Sequence, residues 1–323
     1  TLVFSEAVAS FSSDEDITAD NGTLTAMTSS DNITWTGTFT PTADTEEDNN
    51  TLSLTANSYT DIVGNTGPAR QTANYVVDTR APTVSSIVIS SATGIQNNLL
   101  NVGDNVSVTA TFSEAVIVDN ASGNPTLTLV VGSDNRTATY TSGDNSTELV
   151  FRYTIQADET DSHGISILGD TLALNGSTIK DAALNDAILT HSAESDNSSY
   201  IVDTTAPTVS SVAITNVVGA QNSFLNAGDN VSVTVTFSEP PISAVIVDNP
   251  SAATLTLKVG NEDNRTAIYN RGSSIVVSSG SDNASLVFSY IIQATNTSGE
   301  NDSDGISIVA NDLNSDSITI RDA

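Results

Sequence analysis

The sequence predicts an all-β chain made of tandem two-layer β-sandwich domains. Three observations predict it: strict alternation of apolar and polar side chains, polar turn clusters at short intervals, and a long internal repeat. "NVSVTATF" from Asn105 and "NVSVTVTF" from Asn230 alternate throughout. "TWTGTFT", "TLTLVV", "LVFRYTI" and "ISIL" do likewise, and Val, Ile, Thr and Tyr dominate them. Period two with β-branched enrichment marks half-buried strands. Asn, Asp, Gly and Ser cluster between the runs, as in "NVGDN", "VGSDN" and "TSGDN", and these are turn compositions. No apolar stripe of helical spacing and useful length interrupts them. About seven short strands in ~100–125 residues fit a sandwich of immunoglobulin type.

The repeat sets the domain boundaries. "VDTRAPTVSS" from Val77 returns as "VDTTAPTVSS" from Val202, a spacing of 125 residues. In chain order, "QNNLLNVGDNVSVTATFSEAVIVDN" matches "QNSFLNAGDNVSVTVTFSEPPISAVIVDN", and "DNRTATY" matches "DNRTAIY". "LVFRYTIQA" then matches "LVFSYIIQA", "DSHGISI" matches "DSDGISI", and "TIKDA" matches "TIRDA". The insertions "PPIS" and "RGSSIVVSS" are placed between strands, where loops tolerate length changes. Ala-Pro at 81–82 and 206–207 stiffens the start of each repeat, because proline fixes φ. Phe112, Phe151 and Tyr153, with Phe237, Phe288 and Tyr290, are the expected core anchors.

Three segments result: 1–77, 78–202 and 203–323. The first is a shorter, divergent copy with "LVFSEAV" at Leu2, "TDIVGN" at Thr60 and "YVVDT" at Tyr75. It is expected to lack its first strand, and the third segment its last. The chain opens in what reads as mid-domain, so a piece of a longer polypeptide is expected.

The chain holds 39 acidic and 9 basic side chains, a net charge of −30. Each segment carries about a third of that charge, so the acidity belongs to the repeated unit. Such an excess argues against nucleic acid, whose phosphates need Lys and Arg, and against anionic lipid. With no Cys, disulfides, thiolate metal sites and cysteine nucleophiles are excluded. No run of about 18 apolar residues exists, so no membrane insertion is expected.

The pattern "VDTxAPTV … GDNVSVTxTFSE … GI.I … TIxDA" resembles the tandem bacterial immunoglobulin-like repeats of giant surface adhesins and related cell-surface proteins. Segment 1–77 resembles a second, shorter subtype. The resemblance covers essentially the whole chain and implies an extended extracellular stalk at the cell surface. It also implies that calcium rigidifies the junctions between neighbouring repeats. One departure stands out: related repeats often read "DAAGN", whereas this chain reads "DAALN" at Asp181.

Topology places candidate calcium ligands. If strands alternate up and down, the linker Asp, the FSE turn ending the second strand, and the turn after "TIKDA" meet at the N-terminal pole. Asp78, Glu114 and Asp181 are expected to converge there, and Asp203, Glu239 and Asp322 at the next junction. Glu6 and Asp61 would be the remains of the same site upstream. Like charges ~4 Å apart cost about 4 kcal/mol at an effective dielectric of ~20. A hard cation with six to eight oxygen ligands relieves that cost, and no His or Cys nearby favours zinc or copper. The competing reading is ordinary solvated turn acids, since Asp suits turns. A weaker set lies at the far pole: Asp158 and Asp161, Asp302 and Asp304 before "GISI", with Asp104 and Asp229 of the GDN turns. The full EF-hand pattern is not met, so tight polar turns compete strongly there.

Catalysis finds little support. His163 aligns with Asp304 in the next copy, His191 has no marked nucleophile beside it, and the many acids imply no cleft. Sequons such as Asn105-Val-Ser, Asn135-Arg-Thr, Asn230-Val-Ser and Asn264-Arg-Thr fit chance in an Asn-, Ser- and Thr-rich chain. Arg136 and Arg265 either offset nearby acids or take a ligand carboxylate or glycan. Trp35 either packs in the core or stacks on sugar. Strands of about 8–10 residues reach ~27–34 Å, so three domains end to end would extend roughly 100 Å. The expected role is mechanical: a calcium-stiffened adhesin stalk whose host or surface glycan or protein target is bound elsewhere. A self-assembling filament or layer and a glycan- or protein-binding module are the alternatives.

Overall fold

The computed structural model describes residues 1–238, 245–248, 253–259, 264–269, 275–277, 285–294, 305–314 and 319–322. The architecture is all-β, with tandem immunoglobulin-like sandwich units. The one helix among the described residues is the single turn Ser13–Asp16.

The second unit shows how alternation becomes a layer. One sheet runs in the order Val84–Thr93, Asn105–Asp119, Ser146–Thr154, Asp134–Ser142, Thr126–Val131, Ser166–Ile167. In Asn105–Thr111 every second side chain is buried. Val106, Val108, Ala110 and Phe112 meet Leu149, Phe151 and Tyr153 from the neighbouring strand in one core. Ile165, Ile167, Leu172 and Ile179 join that core. A small second sheet holds Leu99–Leu100, Ile201–Asp203 and Thr160–Asp161. The closing segment runs parallel to Leu99–Leu100 and pairs Leu99 with Ile201 and Leu100 with Val202.

The third unit repeats this strand order with Thr208–Val218, Asn230–Ser238, Ser285–Ile291, Asn264–Tyr269, Thr254–Lys258 and Ser307–Asn314. Its core holds Phe237, Phe288 and Tyr290, as expected, beside Val231, Val233 and Leu286. The first unit has a smaller core of Val8, Phe11, Leu54 and Tyr59, with Phe4, Met27 and Trp35 packed on it. Trp35 stands edge-on to Phe11 at 4.9 Å, so it is a core residue and not an exposed sugar platform.

Two expectations are corrected. The FSE segment is not a turn that ends the second strand. Asn105–Asp119 is one strand of 15 residues whose register against Ser146–Thr154 shifts between Thr111 and Val116. Its first half pairs with Val84–Thr93 and Ser146–Thr154, and its last three residues pair with Thr178–Lys180. No Gly, Pro or Asn is present at 112–118, so the chain keeps an extended backbone while it changes partner. The insertion "RGSSIVVSS" is likewise not purely a loop. Its Ile275–Val277, consecutive β-branched residues, form a strand antiparallel to Val245–Val247.

Candidate metal centre

Three elements from two units deliver the expected carboxylates to one place. Asp78 ends the strand Tyr75–Asp78, which pairs Asp78 with Glu46 in the first unit. Glu114 lies within the register shift of Asn105–Asp119, between Thr111 and Val116. Asp181 follows Thr178–Lys180, whose pairing sets Lys180 against Ile117. Each of Asp78, Glu114 and Asp181 offers an oxygen within 4.8 Å of the others. Among the described residues this is the one group of three or more such side chains.

The same backbone register recurs in every unit. Val8 faces Asp61 in the first, and Val245 faces Asp322 in the third. In the second, Ile117 against Lys180 brings Val116 opposite Asp181. The acid of the loop is therefore carried by a strand pairing, not by a free turn.

The loop after that pairing is shaped by its own Asp. In the second unit, Asp181 Oδ1 accepts from the Asn185 backbone N–H at 2.8 Å, and Oδ2 accepts from the Asn185 amide at 2.8 Å. In the first unit, Asp61 accepts from Asn65 in the same two ways, at 2.9 and 2.7 Å. Gly64 holds φ +96° in one loop, and Leu184 holds φ +73° in the other. "DAALN" thus adopts the same turn as "DIVGN", with a leucine in the left-handed region that costs a non-glycine residue about 1–2 kcal/mol. Asn185 also reaches across the junction, its amide donating to the Asp78 backbone carbonyl at 3.3 Å and to Asp78 Oδ1 at 3.4 Å.

Asp181 is 1% exposed, while Asp78 and Glu114 are half-buried. Burial first, then the charges of Asp78 and Asp181, raise the Glu114 carboxyl above its ordinary value of 4.5. Glu46 adds to the rise and Arg80 opposes it. Arg80 stands 3.8 Å from Asp44 and 3.6 Å from Glu46 on the first unit. The donor set is all oxygen, and two ligands on opposite sides of a calcium ion at 2.3–2.6 Å stand just under or just over 5 Å apart. The residues present fit that ion, and the Asp78 carbonyl lies beside them.

At the second junction Asp203 is 2% exposed. Its Oδ1 accepts from the Thr205 N–H at 3.0 Å, as Asp78 accepts from the Arg80 N–H at 3.2 Å. Burial raises the Asp203 carboxyl above 3.8. Glu239 lies outside the described residues, as do Asp302, Asp304 and the side chain of Asp322. Upstream, Glu6 and Asp61 border one cleft of about 350 Å³ together with Arg70.

Three of the far-pole acids are spent on backbone. Asp104 accepts from the Asn101 N–H at 2.8 Å, and Asp229 from the Asn226 N–H at 2.6 Å. Asp161 accepts from the N–H groups of Gly132, His163 and Gly164. Asp158 is exposed at φ +66°. His191 Nε2 accepts from the Thr171 N–H at 3.0 Å and the Leu172 N–H at 3.3 Å, tying two loops together.

Sequence reasoning missed Glu159 and Asn185. Glu159 is 3% exposed. Its Oε1 accepts from Arg136 Nε and the Tyr153 hydroxyl, and its Oε2 from the Gln156 N–H. Arg136 therefore serves a buried partner as well as the exposed Asp134. The Glu159 carbonyl accepts from the Thr204 hydroxyl of the linker at 2.9 Å. The shared "DNRTA", with one Arg in each acidic copy, was the available signal.

Two predictions follow from this geometry. Leu184→Gly relieves the left-handed leucine, less the extra chain entropy of glycine. It should raise the unfolding free energy of the second unit by about 1 kcal/mol in urea denaturation; a loss of stability would show that Leu184 makes compensating contacts. The second concerns pH. A carboxyl whose folded value lies above its unfolded value binds more protons when folded. Its contribution is complete below the ordinary value and is lost as pH rises through the folded one. Glu114 and Asp203 are both of this kind. In metal-free buffer the contribution of these two groups should fall as pH rises through their raised values, against the opposite trend of Asp31 and Asp61, whose carboxyls are held below their ordinary value by hydrogen bonds. Glu114→Gln should recover part of the loss at pH 7 and change little at pH 4. A variant that melts lower at pH 7 would contradict this.

Residues 1–77 match the family model described as a bacterial Ig-like domain. No curated protein and no solved structure matches the chain. No helix among the described residues is long and apolar enough to cross a membrane. The match to 1–77 and the repeated sandwich architecture agree with bacterial Ig-like repeats serving as a structural segment.

Proposed function

We propose that this chain is a load-bearing repeat segment of a large extracellular bacterial surface protein, forming a calcium-stiffened stalk in adhesion. The observation that carries the reading is the meeting of Asp78, Glu114 and Asp181 at the junction of the first and second units. Asp78 is anchored in the first unit's sheet and the other two acids in the second unit. A cation held by all three would tie the two units across their linker. Without it, the same three charges repel and favour a loosened junction.

The ion supplies charge neutralisation and geometry only. Asp181 is pre-aimed by Asn185, Asp78 by its pairing with Glu46, and Glu114 is placed by the register shift of its strand between Thr111 and Val116. The acid-rich, Cys-free composition suits a chain that stays soluble and crosses a secretion channel unfolded. Calcium, scarce inside cells and abundant outside, would then couple junction stiffening to export.

Calcium should raise the thermal midpoint of the full chain, by about 2.7 kcal/mol of stabilisation at a concentration 100 times its Kd. EDTA should reverse the rise, and Glu114→Gln should shrink it. A melting curve identical with and without calcium would refute the reading.

A further inference from the structure

Residues 188–194 close the second unit by crossing from one sheet edge to the other. At the start of the crossing Ile188 bridges Thr83 in parallel, and its N–H donates to the Pro82 carbonyl at 2.8 Å. At its end Glu194 and Ile167 exchange hydrogen bonds of 2.9 and 3.0 Å. The same stretch of chain then continues to the strand Ile201–Asp203 and the second linker.

Between these two anchors His191 fastens the crossing to the loop 170–172. Its backbone N–H donates to Asp170 Oδ1 at 2.8 Å, and its carbonyl accepts from the Asp170 N–H at 3.1 Å. The ring makes the remaining bonds. Nδ1 faces the Ser192 carbonyl at 2.9 Å; a carbonyl only accepts, so Nδ1 carries the hydrogen. Nε2 faces the backbone N–H groups of Thr171 at 3.0 Å and Leu172 at 3.3 Å, so Nε2 carries the lone pair. Together these partners require a neutral ring in one tautomer. An imidazolium would aim an Nε2–H at two donors and forfeit both bonds. Leu172 is 6% exposed and belongs to the core, so the loss falls on the core's rim.

His191 also borders a cleft of about 460 Å³. Residues 84–88 of the edge strand line it without a charged side chain. Asp170 and Glu194 are the titratable groups that line it beside His191. Their carboxylates are acceptors that a charged ring can turn to and that the seated Nε2 lone pair cannot use.

We propose that His191 is a proton-operated latch on the closing segment of the second unit. Neutral, it holds residues 188–194 against the loop 170–172. Protonated, it releases them, uncovering Leu172, Leu189 and the edge strand at 84–88. The seated latch accepts only the neutral ring, so its contribution is complete above the histidine range and lost as pH falls through it. Glu114 and Asp203 run the other way, their contributions growing as pH falls. Acid would thus loosen the stretch that leads into the second linker, with no metal involved.

The test follows amide hydrogen exchange of the full chain in EDTA at pH 7 and pH 5. Protection at Thr171 and Leu172 should fall by up to about 25-fold, the factor by which proton uptake favours a released ring of ordinary value ~6.5 over that interval. Protection at Val108 and Phe151, in the same unit's sheet, should stay level. His191→Gln keeps an acceptor that takes no proton and should flatten the response. His163→Gln, at the exposed second histidine, should leave the response intact. Level protection at Thr171 and Leu172 in the unaltered chain overturns the proposal. A fall that survives His191→Gln, or that disappears in His163→Gln, does the same. Ring nitrogen shifts from NMR of the unaltered chain need no variant. A His191 ring that protonates while both amides stay protected also overturns the latch. Calcium is absent throughout, so the result is independent of the cation reading.

Discussion

The junction between the first two units depends on electrostatic crowding. Three carboxylates from two folding units face one small volume, and the strand pairings that carry them leave little room to withdraw. Asp78 is held by its pairing with Glu46, and Asp181 by a strand pairing and by both hydrogen-bonding groups of Asn185. Burial first, and then repulsion from Asp78 and Asp181, pushes the Glu114 carboxyl upward. Two outcomes relieve such a cluster: protonation, or a cation. The first loosens nothing but works only in acid; the second works at neutral pH and adds bonds across the linker. The proposed stalk function takes the second.

The other contacts at the junctions are arranged around this constraint. Arg80 stands toward Asp44 and Glu46, on the first unit's side, and lowers Glu114 only as the last of its influences. At the next junction the linker is tied by uncharged means as well: Thr160 pairs with Asp203, and the Thr204 hydroxyl donates to the Glu159 carbonyl. The buried Glu159 and Tyr153 form a polar network with the partly exposed Arg136. Removing one partner from such a network leaves an uncompensated buried group, the costly case. The two junctions thus share an Asx turn at the linker Asp but differ in what supports it.

Much of this was legible in the sequence because β-structure writes its pattern at period two. Val106, Val108, Ala110 and Phe112 could be assigned to one face from alternation alone, and all are buried. The meeting of Asp78, Glu114 and Asp181 in space followed from strand direction and repeat alignment, which need no side-chain detail. What was not legible depended on longer-range pairing. Alternation does not say that Asn105–Asp119 shifts register and changes partner without ending, since such a shift need not alter which residues are apolar. Glu159 sits among Asp and Thr in "ADETDSHG", where nothing local separates a buried acid from a solvated one. Leu184 at a left-handed position contradicts local preference, and only the hydrogen bonds of Asn185 show that the turn survives it.

A crystal structure of the full chain grown in calcium, with anomalous difference maps, tests the central claim most directly. The account predicts a peak at the first junction with an oxygen of Asp78, Glu114 and Asp181 each at about 2.3–2.6 Å from it. A map with the three carboxylates in place and no ion between them, at calcium concentrations typical outside cells, would contradict it.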